Sequence, residues 1–488
     1  MSLLKTGKIG YMAQTINVLF LAAEAEPFVK VGGLGDVAGS LPRALRALSN
    51  DELKLDVRLV LPYHSAIRAD GLRPLGIFSI PRGISEVQAE AFECIHEGMP
   101  VYFISGEPIT ASGSVYSLDS KLDAEKYAFF SLAALELQRQ ISWTANIIHA
   151  NDWHTAPAVY GVLTKRWEEG SQKAASLITL HNLPFLGPNV AEILESYGLK
   201  LAQTDLPEWA RVLPLPLGLW ASDAIVAVSP TYAQEILKPE SSSGLHDFLD
   251  SRRETISGIL NGLDTESFNP ADDPAIGVNF DLETLDKRSA NKRLLQERLG
   301  FPIDPDVPLL AMISRMDPQK GVDIAIAALK EMRRSRTKWQ AVILGTGVPA
   351  LEEAALALKA EVPERVKVET RYDAGLARQI YAGADIFLMP SRYEPCGLSQ
   401  MIAMRYGCVP VVRAAGGLND TVTHGETGFV FEEPRPKALI KAVRTAIKTY
   451  EDRVAWRTLQ RAGMEQDFSW AQSAGQYLSL YQSLIKKL

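Results

Sequence analysis

The sequence is poor in cysteine, has no long apolar run and carries no excess of positive charge, and each shortage excludes something. Its three cysteines, Cys94, Cys396 and Cys408, are odd in number and lack metal-ligand spacing, so neither a disulfide framework nor a zinc site is implied. A reducing compartment, the cytoplasm, is the expected location. No stretch approaches the roughly 20 apolar residues of a membrane-spanning helix. With 51 basic against 58 acidic side chains the net charge is −7, so no global field recruits nucleic acid or an anionic membrane, and any polyanion site must be local. Lys5 and Lys8 precede an apolar stretch ending near Ala23-Glu-Ala25, much as in a secretory leader. Residues 16–23 are better read as a buried strand, because a Gly-rich turn and an amphipathic helix follow at once.

At 488 residues the chain is too long for one ordinary core, and two or three domains are expected. Short apolar runs alternate with helical patterns, which argues for parallel sheets covered by helices. The pattern begins twice. The first half opens with strand 16–23, the turn Lys30-Val-Gly-Gly-Leu-Gly-Asp36 and a helix carrying Val37, Leu41, Leu45 and Leu48. The second opens with an apolar run at 308–316, the turn Asp317-Pro-Gln-Lys-Gly321 and a helix carrying Ile324, Ala327, Ala328 and Met332. Further strands are expected at 340–344, 366–370, 385–389 and 409–413. Two doubly wound, Rossmann-like units are the economical reading, with a ligand at the carboxyl ends of both sheets and between them. The polar stretch Pro239-Glu-Ser-Ser-Ser-Gly244 suggests a joint near 240–256. The expected division is 12–252 and 253–469, with a C-terminal helix at 470–488 assigned to the first domain. That helix carries Trp470, Tyr477, Leu484, Ala474, Tyr481 and Leu488 on one stripe.

Several segments carry chemistry. Ser391-Arg-Tyr-Glu-Pro-Cys-Gly-Leu-Ser-Gln-Met401 lies between a buried strand and a helix. A tight Pro/Gly turn there leaves helix N–H groups without internal partners, which suits an anion, and puts the carboxylate of Glu394 beside it. A ligand with hydroxyls and phosphates would use both; alternatively, Glu394 only caps the helix and pairs with a nearby arginine. In the first Gly turn, Gly32 and Gly33 would let the backbone approach a pyrophosphate while Lys30 supplies charge. In the second, Arg315 ends a strand and Lys320 begins a helix, so two cations could hold a diphosphate without a metal and stabilise the charge that builds on a leaving phosphate. His149-Ala-Asn-Asp-Trp-His-Thr155 and His181-Asn-Leu-Pro-Phe-Leu-Gly187 each follow a strand-like run and deliver polar groups to one sheet edge. The HxxxxH spacing lacks a third ligand for zinc. Asp304-Pro-Asp306 reads as linker, and Cys396 as a structural or substrate-contacting thiol.

Taken in order, these segments resemble the bacterial glycogen synthase and plant starch synthase family, retaining glucosyltransferases of the GT-B fold. The resemblance also rests on Val228-Ser-Pro-Thr-Tyr232, Leu260-Asn-Gly-Leu-Asp264 and Gly416-Gly-Leu-Asn-Asp420, and runs from about Ile16 onward. It implies transfer of glucose from ADP-glucose, or UDP-glucose as the nearest variant, to the non-reducing end of an α-1,4-glucan or maltooligosaccharide acceptor. No metal or other cofactor is implied. Lys30, Arg315 and Lys320 would hold the diphosphate. Glu394, with the amides of Cys396, Gly397 and Leu398, would position the glucose. His181 would line the reaction centre, Asp152 would lie near donor sugar and acceptor, and Tyr372 would stack on the base. The family's retention of configuration is explained by attack on the face the nucleotide leaves, the departing phosphate taking the acceptor's proton. Three segments depart from the family pattern, Pro214–Trp220, Pro184–Gly187 and Tyr116–Phe130, all in the first domain, where they bear on acceptor recognition. An epimerase or hydrolase of the same fold, or a non-catalytic glucan-binding paralogue, are the alternatives.

Overall fold

The computed structural model describes residues 14–166, 173–334 and 337–488; Lys5 and Lys8 lie outside them. The chain divides into two compact units. One takes the chain to Ala227, then Ile236–Gly262 and Trp470–Leu488; the other takes Val228–Glu235 and Leu263–Ser469. The expected boundary at 252/253 therefore moves to 262/263. The polar run at 239–244 is a turn inside the first unit, where Ser242 is buried and its hydroxyl donates to Pro239 O at 3.1 Å. The chain then adds one more strand to the first sheet before leaving it.

The described residues of the first unit form nine strands: β1 (Gln14–Leu21), β2 (Leu53–Pro62), β3 (Arg73–Arg82), β4 (Ser85–His96), β5 (Met99–Gly106), β6 (Ile147–Asn151), β7 (Ala175–Leu180), β8 (Ala224–Ala227) and β9 (Ile256–Gly258). Their order is β3-β4-β5-β2-β1-β6-β7-β8-β9. The expectation of a purely parallel sheet fails at one edge, where β4 pairs antiparallel with both β3 and β5. A two-residue turn at Gly83-Ile84, with Gly83 at φ 59°, lets β3 and β4 fold back as a hairpin. From β5 to β9 every neighbour is parallel. The order reverses at β1 and β6, and the crevice at their carboxyl ends is where such sheets hold ligands.

His149, fully buried in β6, satisfies both ring nitrogens, Nδ1 on Tyr481 OH at 2.7 Å and Nε2 on Thr179 Oγ1 at 2.8 Å. Burial holds its pKa well below the usual histidine value, so it is a neutral fastener, tying the C-terminal helix Trp470–Ile485 to the sheet. That helix buries Trp470, Ala474, Tyr477, Tyr481 and Leu484. Leu488, expected on the same stripe, lies past the helix end and is exposed.

The second unit has six strands: β10 (Leu309–Ile313), β11 (Gln340–Leu344), β12 (Val366–Glu369), β13 (Ile386–Met389), β14 (Val409–Arg413) and β15 (Phe429–Phe431). All pairs are parallel, in the order β12-β11-β10-β13-β14-β15. This is the doubly wound order whose reversal lies between β10 and β13. β10, β11, β13 and β14 are short, mainly apolar runs buried on both faces, while β12 alternates buried valines with half-buried Lys367 and Glu369. The sheet packs against Ile324, Ala328 and Met332 of the helix Val322–Met332, and Ala327, expected on the same face, is exposed. The loops after β10 and β13 carry Arg315, Lys320 and Glu394.

Candidate active site

In the second unit, Asp317 caps a single helical turn, Pro318–Lys320, by accepting from Lys320 N at 3.1 Å. Gly321 follows at φ 67°, and a Cβ there would lie 2.2 Å from Pro390 O. Glycine is required for the loops after β10 and β13 to approach this closely. Arg392 N donates to Gln319 O at 2.7 Å, and Gln319 Nε2 to Tyr393 O at 3.3 Å. The latch brings Lys320 Nζ to 2.8 Å from both carboxylate oxygens of Glu394, and Ser391 Oγ donates to Oε2 at 3.0 Å.

Glu394 is 4% exposed, and the helix Ser399–Arg405 has no side-chain cap. The capping alternative is therefore corrected, because the carboxylate turns toward Lys320 and away from the helix. Nor does it pair with an arginine; the adjacent Arg392 reaches Asp323 instead, at 2.8 and 2.7 Å.

Around this pair the backbone is tightly fixed. Gly417 N donates to Glu394 O at 3.1 Å, and a Cβ on Gly416 would lie 2.0 Å from that oxygen. Ser229 Oγ holds Pro395 O at 2.6 Å. Cys396 is buried and reduced, and Gly397 adopts φ 75°. The N–H groups of Gly397 and Leu398 have no acceptor among the described residues. Arg315 pairs with Asp317 at 3.3 Å, and its side chain is 60% exposed. Tyr372, in the turn after β12, is 82% exposed. Carboxylate, ammonium, guanidinium, open amides and an exposed ring thus share the carboxyl edge of one sheet.

The first unit arranges its candidates the same way. In the loop after β1, buried Glu24 accepts from the N–H groups of Val31 and Gly32 and from Tyr116 OH at 3.0 Å. Burial raises the Glu24 pKa even though these hydrogen bonds pull the other way. The N–H of Gly32, which was expected to let the backbone approach a pyrophosphate, is taken by Glu24. Gly33 begins the helix Gly33–Ala47, and a Cβ there would meet nothing within 4 Å. Lys30 Nζ sits 2.7 Å from Asp36 and 3.1 Å from Glu26. Burial works to lower the Lys30 pKa, but its two carboxylate partners outweigh it and raise it. Burial pushes Asp36 up to about 6 against the pull of Lys30.

Tyr116 is placed by a buried clamp. Lys126 Nζ donates to Ser112 Oγ at 3.0 Å and Val115 O at 2.8 Å while pairing with Asp123 at 2.6 Å, and Tyr127 OH donates to Val115 O at 2.6 Å. The segment Tyr116–Phe130 departs from the family pattern in sequence, yet it holds the Glu24 carboxylate in place.

After β6, Asp152 opens the helix Asp152–Arg166 at φ 54°, a left-handed conformation that Asp tolerates better than most residues. Its Oδ1 accepts from the backbone N–H of His181 at 2.8 Å and of Asn182 at 3.4 Å. Burial nevertheless pushes its pKa up to about 7. His181, just past β7, has Nε2 2.9 Å from Asn151 Oδ1. Asn151 Nδ2 donates to Leu21 O at 2.9 Å, which fixes the amide and makes Oδ1 the acceptor. Nε2 of His181 therefore carries the proton and Nδ1 the lone pair. Burial lowers the ring's pKa to about 3, so it is neutral.

Sequence reasoning overlooked Glu24, Tyr116, Asn151 and Ser391 as site residues. Glu24 stood in Ala23-Glu-Ala25 and Ser391 opened the Glu394 segment, so position at a strand's carboxyl end was the available signal. Among the described residues no group of three or more His, Cys, Asp or Glu could hold a metal ion, and no helix is long and apolar enough to cross a membrane.

Known proteins resemble this chain over nearly its whole length. Residues 17–251 match the family described as "Starch synthase catalytic domain", and residues 296–462 that described as "Glycosyl transferases group 1". A protein named "Glycogen synthase" from Anaeromyxobacter sp. (strain Fw109-5) is 39% identical over 96% of this chain and 99% of its own length. One of the same name from Streptococcus sanguinis (strain SK36) is 37% identical over 96% of this chain and 100% of its own. Among solved structures, the catalytic domain of Starch Synthase IV from Arabidopsis thaliana, bound to ADP and acarbose, superposes with a TM-score of 0.88 at 33% identity, covering 97% of this chain and 100% of that one.

Proposed function

Because the chain belongs to the glycogen and starch synthase family of GT-B glycosyltransferases, we propose that it transfers glucose from ADP-glucose to the non-reducing end of an α-1,4-glucan, retaining the anomeric configuration. The carrying observation is Glu394, held by Lys320 and Ser391 beside the open N–H groups of Gly397 and Leu398. A carboxylate accepts hydrogen bonds from sugar hydroxyls, and cations with free amides suit the diphosphate.

In this reading the bond between glucose C1 and the phosphate oxygen breaks, and its electron pair goes to the phosphate. Lys320 and Arg315 stabilise that charge, and Lys30 is assigned to the diphosphate as well. The acceptor hydroxyl attacks the face the phosphate leaves and gives its proton to the departing phosphate oxygen. Glu394 positions the sugar and is not the base. Tyr372 stacks on the nucleobase. His181, a neutral ring with a free lone pair on Nδ1, and Asp152 serve the sugar and acceptor. The transfer is proposed to need no metal ion, and the three buried free thiols suit the cytoplasm.

Incubation with a maltooligosaccharide and either ADP-glucose or UDP-glucose tests the reading. Elongation sensitive to α-glucosidase with ADP-glucose, unaffected by a chelator, is expected. Elongation with UDP-glucose alone would move the donor assignment. Free glucose without elongation would mark a hydrolase, and glycogen binding without donor turnover a binding paralogue.

A further inference from the structure

The second unit holds a cavity of about 600 Å³, inside the range of small-molecule sites, on the face of the sheet edge opposite the catalytic candidates. Its floor includes Asp385, which opens β13. Asp385 N donates to Leu309 O, and Leu309 N to Asp385 Oδ2, both at 2.8 Å. The cavity thus lies at the amino ends of β10 and β13, whereas Lys320 and Glu394 follow their carboxyl ends. The four residues of β13 separate the two places by about 13 Å of strand.

The floor has one group with spare capacity, the Asp385 carboxylate. Lys292 Nζ is saturated, by Pro305 O, Val307 O, Tyr450 OH and Asp385 Oδ2. Buried Arg288 spends Nε and Nη2 on the carbonyls of Tyr406, Tyr381 and Ala384. Its Nη1 and Asp385 Oδ1 lie 3.9 Å apart, too far for a direct hydrogen bond. Arg288 is also hydrogen-bonded to the Cys408 side chain, whereas Asp385 Oδ1 has no hydrogen-bond partner among the described residues and is not a fully buried unsatisfied atom. A ligand hydroxyl can donate to Oδ1.

The walls are aromatic, with the rings of Tyr450 and Trp456 5.2 Å apart and nearly perpendicular. Two arginines on one helix stand at the mouth. Arg453 packs over the Tyr450 ring at 4.2 Å and pairs with Asp306, and Arg457 pairs with Asp286. Both acids are almost wholly in water, 84% and 93% exposed. Such pairs exchange readily for a better anion, and paired guanidiniums favour phosphate.

We propose that this cavity is a second ligand site, for a phosphorylated sugar. A hydroxyl of the sugar donates to Asp385 Oδ1, and its phosphate meets Arg453 and Arg457.

Calorimetric titration of the full chain with glucose 1-phosphate, with saturating ADP present, reads this site. One binding event is expected, weakened about tenfold or more by Arg453→Ala/Arg457→Ala. The rise in apparent Tm caused by ADP should be the same in both proteins. The assignment is overturned if no heat of binding appears, if the double variant binds as the parent does, or if inorganic phosphate binds as tightly as glucose 1-phosphate. The parent-to-variant comparison stands whether or not the proposed donor is correct.

Discussion

Lys320 Nζ lies 2.8 Å from each carboxylate oxygen of Glu394, so the ammonium assigned to phosphate and the carboxylate assigned to glucose neutralise one another. The pair is unequally buried, with 19% of the lysine side chain exposed against 6% of the glutamate. Glu394→Gln should keep the fold, because the amide oxygen still accepts from Ser391 and Lys320 can turn toward water. We expect kcat to fall about thirty- to a thousandfold, or ~2–4 kcal/mol of transition-state stabilisation. Apparent Tm should move by no more than about 4 °C. Near-parental kcat would remove Glu394 from sugar positioning.

Tyr116 OH and the Val31 and Gly32 amides converge on Glu24, which makes the first Gly turn a preorganised element. Tyr116→Phe deletes one hydrogen bond, worth about 1 kcal/mol, and leaves the packing against His154 in place. Steady-state kinetics should show an approximately fivefold higher donor KM with kcat within about twofold. A fall in kcat with unchanged KM would mean that the turn acts on the chemical step.

Much of the second unit is readable in one dimension because its central strands are short, mainly apolar runs buried on both faces and bounded by turn residues. β10 and β11 are examples, and the reversal between β10 and β13 follows from the repeated strand, turn and helix. The edge hairpin β3–β4 was not legible. Pro74, Gly76, Pro81 and Gly83 weigh against strands, and pairing to the neighbouring β5 overrides that local preference. At the site, Glu394 and Lys320 stood out as charges in Gly/Pro turns, but their partnership depends on Gly321 meeting Pro390, a contact that no local pattern announces. Glu24 reads as an ordinary acid because its hydroxyl partner, Tyr116, is distant in the chain and its other partners are backbone amides that no side-chain pattern reveals.

Asp152 has a raised pKa of about 7, and the sign of its effect on stability follows. In the unfolded chain the group titrates near its ordinary value of 3.8. Between these values the native state binds more protons, so stability falls as pH rises through the window from about 4 to 7. Asp152→Asn keeps an oxygen for the His181 and Asn182 amides and also tolerates the left-handed backbone. Thermal melts from pH 4.5 to 8 should therefore show a flatter decline in the variant, with the two proteins closest at the acid end. Parallel curves would mean that Asp152 is ionised throughout.

His181 makes a prediction of the opposite kind. With its pKa lowered to about 3 and Nε2–H fixed on Asn151 Oδ1, the ring should not titrate between pH 5 and 8. Its Cε1 proton, assigned by comparison with His181→Ala, should keep one chemical shift across that range, whereas an unperturbed histidine moves through a midpoint near 6.5. Asn151→Ala removes the acceptor and leaves the Nε2 proton without it. Either tautomer then becomes open to the ring, and activity should fall about tenfold with an unchanged pH profile, because the ring remains buried and neutral. If instead an acidic limb appears near pH 6 in the parent enzyme and disappears in His181→Gln, the ring ionises in the working enzyme and its role is charge, not orientation.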